Sequence, residues 1–446
     1  MNGKQALVKF TLPWALNKSK GFFMQKNKKL QWFPWLVCML GALFYCYEYY
    51  LRIAPSVMTA DLMRAFAISA AALGNLTAFY YYAYTPMQLP VGILMDRYGP
   101  RRLLVIAVLC CALGSYLFTQ TSHIGIAQFG RFMVGFGSAF AFVGVLKLSA
   151  LWLAPERFAF MSGFATTLGM LGAVIGDISL SVMVSHLGWQ RTMILAASAG
   201  LVLALVIYLI IPDRHRQNQY SKRSATTSYK QLFRGLPLLL KNPQIWLNGI
   251  IGGLIYIPTT AFAELWGIPY LEQAYHYSKM DAASTISMIF LGWAVGGPLM
   301  GILSEKIRLR RLPMTIGSIV AAILIAIVLY VPNLSKLQVA SILFIFGLFS
   351  SAQIIVFAIS RENSSFELSG TVIALTNLFV MLSGVIFQPL IGIMLDKHWS
   401  GTKLHGVHYY NVADFQFALS ILPIGLIIAC ILTLFLRETH CRLQFK

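Results

Sequence analysis

The chain has 446 residues, 58% of them hydrophobic and only 11% charged, with a mean hydropathy of +0.69. Soluble domains average about 25% charged residues because their surfaces face water, so this composition excludes a water-soluble globular protein and leaves lipid as the main solvent. The net charge of +20 does not mark a nucleic-acid binder, because the basic residues sit in gaps between nearly charge-free apolar stretches, with no folded polar surface for a phosphate groove.

In chain order, residues 1–32 read as a basic cytoplasmic tail carrying Lys4, Lys9, Lys18, Lys20, Lys26, Lys28 and Lys29. Residues 1–23 are either part of that tail or an artefact of start-site choice, with Met24 as the start. A spanning helix needs about 20 apolar residues to cross roughly 30 Å of hydrocarbon. On that basis helices are predicted at 33–54, 72–94, 103–119, 124–149, 159–184, 190–211, 245–271, 281–303, 313–331, 338–360, 370–395 and 415–436. The first apolar run has no small-residue cleavage site and reads as a retained span. Helix is the expected form throughout, since an open strand would leave backbone groups unpaired in lipid.

The positive-inside rule gives the direction. With the N-terminus in the cytoplasm, 26 of the 35 Lys and Arg residues fall on that side. The opposite loops hold Arg64, Arg191, Lys279, Lys336, Lys397 and Lys403, and the remaining three lie inside spans. Both termini are therefore expected to be cytoplasmic. The polar, basic segment 212–244 reads as a cytoplasmic linker between two six-helix bundles, 33–211 and 245–437, with 438–446 as a short tail. The six cysteines contain no CxxC pair and read as buried thiols, not as a disulfide framework or zinc site.

The two halves repeat. GILMDRYGPRRL at 92–103 recurs as GILSEKIRLRRL at 301–312, with Asp96-Arg97 matched in type by Glu305-Lys306. Repetition at half the chain length is the pattern of a transporter built from two related bundles. From Gly92 to Arg102 the segment resembles the loop signature G-x-L-x-D-R-x-G-x-R-R of the major facilitator superfamily, and Arg131 to Gly137 resembles that family's R-x-x-x-G-x-G motif. The resemblance covers about 32–438 and implies an all-α membrane protein of twelve transmembrane helices in two pseudo-symmetric bundles, working by alternating access. The helix 5 antiporter motif is poorly kept, since Gly169, Gly172 and Gly176 are spaced differently and Asp177 follows. Tyr47 to Ser56, Gln388-Pro389 with Gly392, and Leu146 to Leu148 resemble the branch of lysosomal dipeptide transporters and phagosomal amino-acid transporters of intracellular bacteria.

The resemblance implies a conformational latch made of Gly92, Asp96, Arg97, Gly99, Arg101 and Arg102, repeated at Gly301 and Glu305, that stabilises the outward-open state. Gly92 is expected to permit close packing of helix 2, and Asp96 to make charge-assisted bonds across the gap between bundles. Ionisable residues inside spans cost about 2.5–3.5 kcal/mol each on insertion scales, so each is a functional candidate. These are Glu48, Arg52, Arg131, Lys147, Asp177 and Glu264. Glu48 and Arg52 are four apart and share a helix face with Tyr45 and Tyr49. Arg52 and Lys147 lie near span ends, where snorkelling is the alternative; Asp177 has the alternative of pairing with a helix 4 charge. Tyr81, Tyr84 and Gln88 fall on one face of helix 2, as do Tyr80, Tyr84 and Gln88, and they are expected to line the cavity, with helix–helix hydrogen bonds as the alternative. Glu264 lies in a helix containing Gly252, Gly253, Pro258 and Pro269, which reads as broken or kinked near a binding site. His398, His405 and His408, with Asp396 and Asp414, match no dedicated metal motif and read as a solvated loop.

No metal, cofactor or enzyme motif is present, and nucleic acid is not an expected partner. The expected protein is a monomeric transporter in a bacterial inner membrane, moving a small polar solute, with protons as a candidate coupling ion through Glu48, Asp177 or Glu264. A cavity holding both cations and carboxylates suits an amino acid or short peptide. The alternatives are a proton-driven exporter of amphipathic or siderophore-like compounds and a transporter-like receptor or sensor.

Overall fold

The computed structural model describes residues 32–120, 123–212, 236–365, 368–404 and 407–444. The first 31 residues, Met24 among them, most of the linker, and His405 lie outside the described residues. Among the described residues, eleven helices are long and apolar enough to cross a membrane: Phe33–Phe66, Pro100–Thr119, Ile124–Trp152, Glu156–Leu187, Trp189–Ile210, Pro243–Ala274, Lys279–Ile307, Arg311–Tyr330, Lys336–Glu362, Ser369–His398 and Val412–Thr433. Between the first two stands Ala70–Met87, continued after a turn at 88–90 by Val91–Tyr98. Its tyrosines make it less apolar than the others, and nearly all its residues are buried or half-buried against neighbouring spans. Counting it second, we number the spans 1 to 12. The predicted spans match in order but differ in detail, most clearly in spans 1 and 2. Span 1 runs on through a 3-10 turn at Ala54–Met58 to Phe66, and span 2 is divided at Pro90, which has no N–H to donate.

Among the described residues the architecture is all-helical apart from two short antiparallel strands, Lys403–Leu404 and Val407–His408, between spans 11 and 12. Spans 1–6 form one bundle and spans 7–12 the other. In the first, span 4 packs on spans 1, 2 and 3; in the second, span 10 packs on spans 8 and 9. The bundles meet along two matching seams, span 2 on span 11 and span 5 on span 8. Because the number of spans is even, both described ends lie on one face, here the terminal face; the opposite one is the far face.

Small residues set how closely the seams approach. A Cβ at Gly74 would collide with the Gln388 carbonyl oxygen, and one at Gly392 with the Ala70 backbone, so spans 2 and 11 cross nearly backbone to backbone towards the far face. Gly169, Gly172 and Gly176 face Tyr45, Cys46 and Ile53, so their spacing fits span 5 against span 1.

The latch segment differs from expectation in this structure. No atom lies within 4 Å of where a Cβ at Gly92 or Gly301 would stand, so the close packing expected at Gly92 is not made. Asp96 does not reach across the bundles. It pairs with Lys147 of span 4 in its own bundle. Arg101 donates to the Tyr208 carbonyl at 2.7 Å, closing span 3 onto span 6, and the Arg97 guanidinium lies over the Tyr98 ring. In the second bundle Glu305 is exposed, and the strong local pair is instead Arg310 with Glu362 at 2.6 Å. Gly99 turns the chain with φ 82°, and Arg308, its repeat counterpart, does so with φ 54°.

Candidate functional site

Span 1 carries Pro55, which cannot donate the N–H that the Leu51 carbonyl would otherwise receive. Arg131 of span 4 fills that vacancy, donating Nη1 to the Leu51 carbonyl at 3.0 Å and Nη2 to the Arg52 carbonyl at 3.4 Å. Its guanidinium lies 5.3 Å from the Tyr80 ring centroid. The proline in the sequence thus fixes a buried arginine beside span 1.

One turn away, Arg52 donates Nη2 to Glu48 Oε1 at 2.5 Å and Nε to the same oxygen at 2.8 Å. Tyr80 completes the group, accepting from Arg52 Nε at 3.0 Å and donating to Glu48 Oε1. The guanidinium also sits 4.3 Å from the Tyr49 ring and 5.0 Å from the Tyr84 ring, which offers cation–π stabilisation of about 0.5–2 kcal/mol. Arg52 is 2% exposed and Glu48 fully buried, so neither snorkels. Tyr45 stacks edge-on against Tyr49 at the margin of the cluster.

Glu264 arrives from the other bundle. Span 7 is not broken at its glycines and prolines; it stays helical from Pro243 to Ala274 and widens into a π-helix over Pro258–Trp266. π segments are rare and concentrate at functional sites. Gln388 of span 11 donates to the Thr260 carbonyl at 2.7 Å, satisfying backbone within that segment. Glu264 Oε2 accepts from Tyr81, and Oε1 stands 3.8 Å from Arg52 Nη1, too long for a hydrogen bond. Arg52 Nη1, Glu264 Oε1, Glu48 Oε2 and Arg131 Nε are all buried without a hydrogen-bond partner. Two cations and two carboxylates therefore meet at the bundle seam with donors and acceptors of both signs unspent.

The structure brings Tyr45, Glu48, Tyr49, Arg52, Tyr81, Tyr84, Arg131 and Glu264 together. Gln88 lies further along span 2, where it accepts from Asn377 of span 11 at 2.8 Å and so links the bundles. Lys147 is not part of the cluster, because its ammonium is held by Asp96 at the terminal end. Asp177 takes no charge from span 4. It faces Ser287 of span 8, with Oδ2 at 3.4 Å and Oδ1 without a partner.

Two groups named from sequence have a larger part in the structure than the sequence indicates. Tyr80, which touches both Glu48 and Arg52, shares a helix face with Tyr84, but the spacing does not say which of four tyrosines is central. The loop between spans 11 and 12 is not merely solvated: Asp396 accepts from the Ala70 and Ala71 amides of span 2 at 3.3 and 3.0 Å and from Tyr410, while His398 bonds Asp414 at 2.8 Å. Burial first, then the bond to Asp396, pushes the Tyr410 phenol up, so it stays a donor. Beside this clamp a cavity of about 180 Å³ opens on the far face, lined in part by Arg64, Trp266, Glu272 and His408.

The family model described as Major Facilitator Superfamily matches residues 38–388. Among curated proteins, the chain is 26% identical over 292 residues to the "Uncharacterized transporter YybO" of Bacillus subtilis, covering 61% of this chain and 66% of that one. It is 22% identical over 285 residues to the "Probable sulfoacetate transporter SauU" of Cupriavidus necator, covering 60% and 64%. The matched region thus spans just under two thirds of the length of these two relatives. Among solved structures, a bacterial homologue of the human lysosomal transporter Spinster, in an inward-facing and occupied conformation, superposes with a TM-score of 0.74 at 16% identity, over 91% of this chain and 97% of that one; the likeness is one of fold.

Proposed function

The chain belongs to the Major Facilitator Superfamily, an integral membrane transporter and not an enzyme, and from that premise we propose that it carries an amino acid or short peptide across a bacterial inner membrane. The observation that carries this reading is the pair of unspent groups, Arg52 Nη1 and Glu264 Oε1, facing each other across the bundle seam. A zwitterion entering there sets its carboxylate on Arg52 and its ammonium on Glu264, replacing a loose 3.8 Å contact with two charge-assisted bonds. Each bundle contributes one partner, so binding favours the state in which the bundles are drawn together. The branch of lysosomal dipeptide and phagosomal amino-acid transporters is proposed on the same footing, supported by Tyr47 to Ser56, which contains both Glu48 and Arg52.

The terminal face is read as cytoplasmic, supported by the bias of Lys and Arg towards that side. The segments around Gly92 to Arg102 and around Gly301 to Glu305 are proposed as the latch of the opposite state. The empty space at Gly92 in a state closed at the far face agrees with a latch that is released here. The working unit is proposed to be a monomer.

A second reading has its own support. SauU is named a probable sulfoacetate transporter, which favours an organic acid bound by Arg52 and Arg131 with Glu264 facing hydroxyls. Thermal unfolding of the purified protein against amino acids, dipeptides, organic acids and sugars separates the two. A ligand at 100 times its Kd stabilises by about 2.7 kcal/mol, which is readily measured. Amino acids or dipeptides are expected to raise the melting temperature and to show saturable uptake in proteoliposomes, both lost in Arg52→Lys. Stabilisation by organic acids alone selects the second reading, and a response only to amphipathic compounds overturns both.

A further inference from the structure

The second bundle has unspent polar groups of its own, and they are neutral. Thr259 of span 7, Trp293 of span 8 and Gln353 of span 10 are buried, and Thr259 Oγ1, Trp293 Nε1 and Gln353 Nε2 have no hydrogen-bond partner. The hydroxyls next to them in sequence are spent. Thr260 donates to the Tyr256 carbonyl at 3.3 Å, and Ser351 to the Leu348 carbonyl at 2.6 Å.

The packing brings the three residues to one place. The Trp293 ring meets the Tyr256 ring edge-on with centroids 5.4 Å apart, and Thr259 follows Tyr256 by three residues on span 7. A Cβ at Gly252 would stand 3.2 Å from Val356. Spans 7 and 10 run in opposite directions, so one turn on from Gly252 reaches Tyr256 while one turn back from Val356 reaches Gln353. The 3-10 turn Ser351–Ile354, which carries Gln353, also lies against span 8. A Cβ at Gly296 would collide with the Ser351 hydroxyl, and one at Gly297 would stand 4.0 Å from Ile354; both glycines are one turn on from Trp293. Tyr256 is within electrostatic reach of Tyr45, Tyr49, Arg52 and Glu264, so this place adjoins the charged cluster.

The donor inventory sets what fits there. Trp Nε1 and Gln Nε2 only donate, whereas a threonine hydroxyl donates or accepts. An aliphatic group would leave two buried donors unpaired. A carboxylate would be buried among neutral groups with no cation of its own. An amide satisfies all three, because its carbonyl oxygen has two lone pairs for the two donors and its N–H can be given to Thr259 Oγ1. We infer that Thr259, Trp293 and Gln353 form a subsite for an amide group of the substrate. That amide is the side-chain carboxamide of an amino acid or the peptide bond of a dipeptide, and the charged groups of the same molecule sit on Arg52 and Glu264. The inference rests on the amino-acid or short-peptide reading and narrows it.

The test titrates the purified full chain calorimetrically with L-alanine, L-methionine, L-glutamine and L-alanyl-L-alanine. Methionine matches glutamine in length and lacks the amide. Glutamine, alanyl-alanine or both are expected to bind about 5–150-fold more tightly than alanine and methionine, the ratio that unpaired buried donors produce. Whichever does so names the source of the amide. Trp293→Phe and Gln353→Leu are each expected to lower that ratio by about fivefold or more, with the ligand-free melting temperature unchanged or raised, because each deletes a donor that bonds nothing in the protein. A merely structural role would instead lower the melting temperature and weaken all four ligands alike. Equal affinities for the four ligands in the parent overturn the inference whether or not the variants fold, as do variants that keep the parent's ratio; either result leaves the amino-acid reading standing. Binding of none of the four overturns both.

Discussion

Gly99 and Arg308 occupy the same place in the two repeats, and each turns the chain at the terminal face through a positive φ. Their wells differ. Arg308, at φ 54° and ψ 34°, is an ordinary left-handed residue. Gly99, at φ 82° and ψ 148°, lies where a side chain is not tolerated. Gly99→Ala is therefore expected to cost about 1–3 kcal/mol. Arg308→Gly relieves a penalty of about 1–2 kcal/mol but loosens the unfolded chain, so its net effect is small. Thermal unfolding of the two purified variants checks the contrast, and equal melting temperatures would refute it. The same residue-by-residue logic applies at Pro55. Its missing N–H leaves the Leu51 carbonyl for Arg131, a consequence that can be drawn from the sequence only once span 4 is known to lie against span 1.

At the scale of elements, the spans were legible because a bilayer imposes length and hydrophobicity on every one of them. The polar face of span 1 was legible too, since Glu48 and Arg52 are one turn apart and neither can face lipid. What was not legible is which polar groups meet across elements. Lys147 looks like a cavity cation until span 2 puts Asp96 beside it. The π-helix around Glu264 has no period a sequence reading would detect, although Pro258 marks where it starts. The seam between spans 2 and 11 makes a prediction at this level. A valine at Gly392 would meet the Ala70 backbone, and overpacking of this kind costs about 1–3 kcal/mol. Because the far face can relieve the clash by opening, Gly392→Val is expected to fold and to shift the population towards far-open by roughly 5–150-fold, since about 1.4 kcal/mol is a factor of ten. Spin labels at Leu187→Cys and Leu337→Cys, exposed sites at the far ends of opposite bundles, are expected to move apart in that background, and an unchanged distance would count against the seam as the closing surface.

For the whole molecule, the balance between states depends on what holds each face. On the far face the links between the bundles include Asp396 on the first amides of span 2, Lys279 with Asp61 at 3.0 Å, and Ser287 beside Asp177. The last of these is a long contact of 3.4 Å, so the first two decide how firmly the face shuts. They are not equal. Lys279 and Asp61 are each 27% exposed, and a pair so open to water is worth about 0–1 kcal/mol. Asp396 satisfies two helix-end amides and sets a negative charge against the positive end of span 2, which is worth up to about 2 kcal/mol in a partly buried setting. Tyr410 holds the carboxylate in place from its own side and also accepts from the Ala70 amide at 3.1 Å. Asp396→Ala removes the charge and both acceptors while leaving the protein's fold, built within each bundle, intact. It is expected to raise the far-open population by about 5–30-fold, whereas Lys279→Ala moves it by less than about fivefold. Spin-label distances between Leu187→Cys and Leu337→Cys, exposed sites at the far ends of opposite bundles, compare the two variants directly at one pH. A larger shift for Lys279→Ala would mean that the charge pair, and not the capped helix, closes the far face.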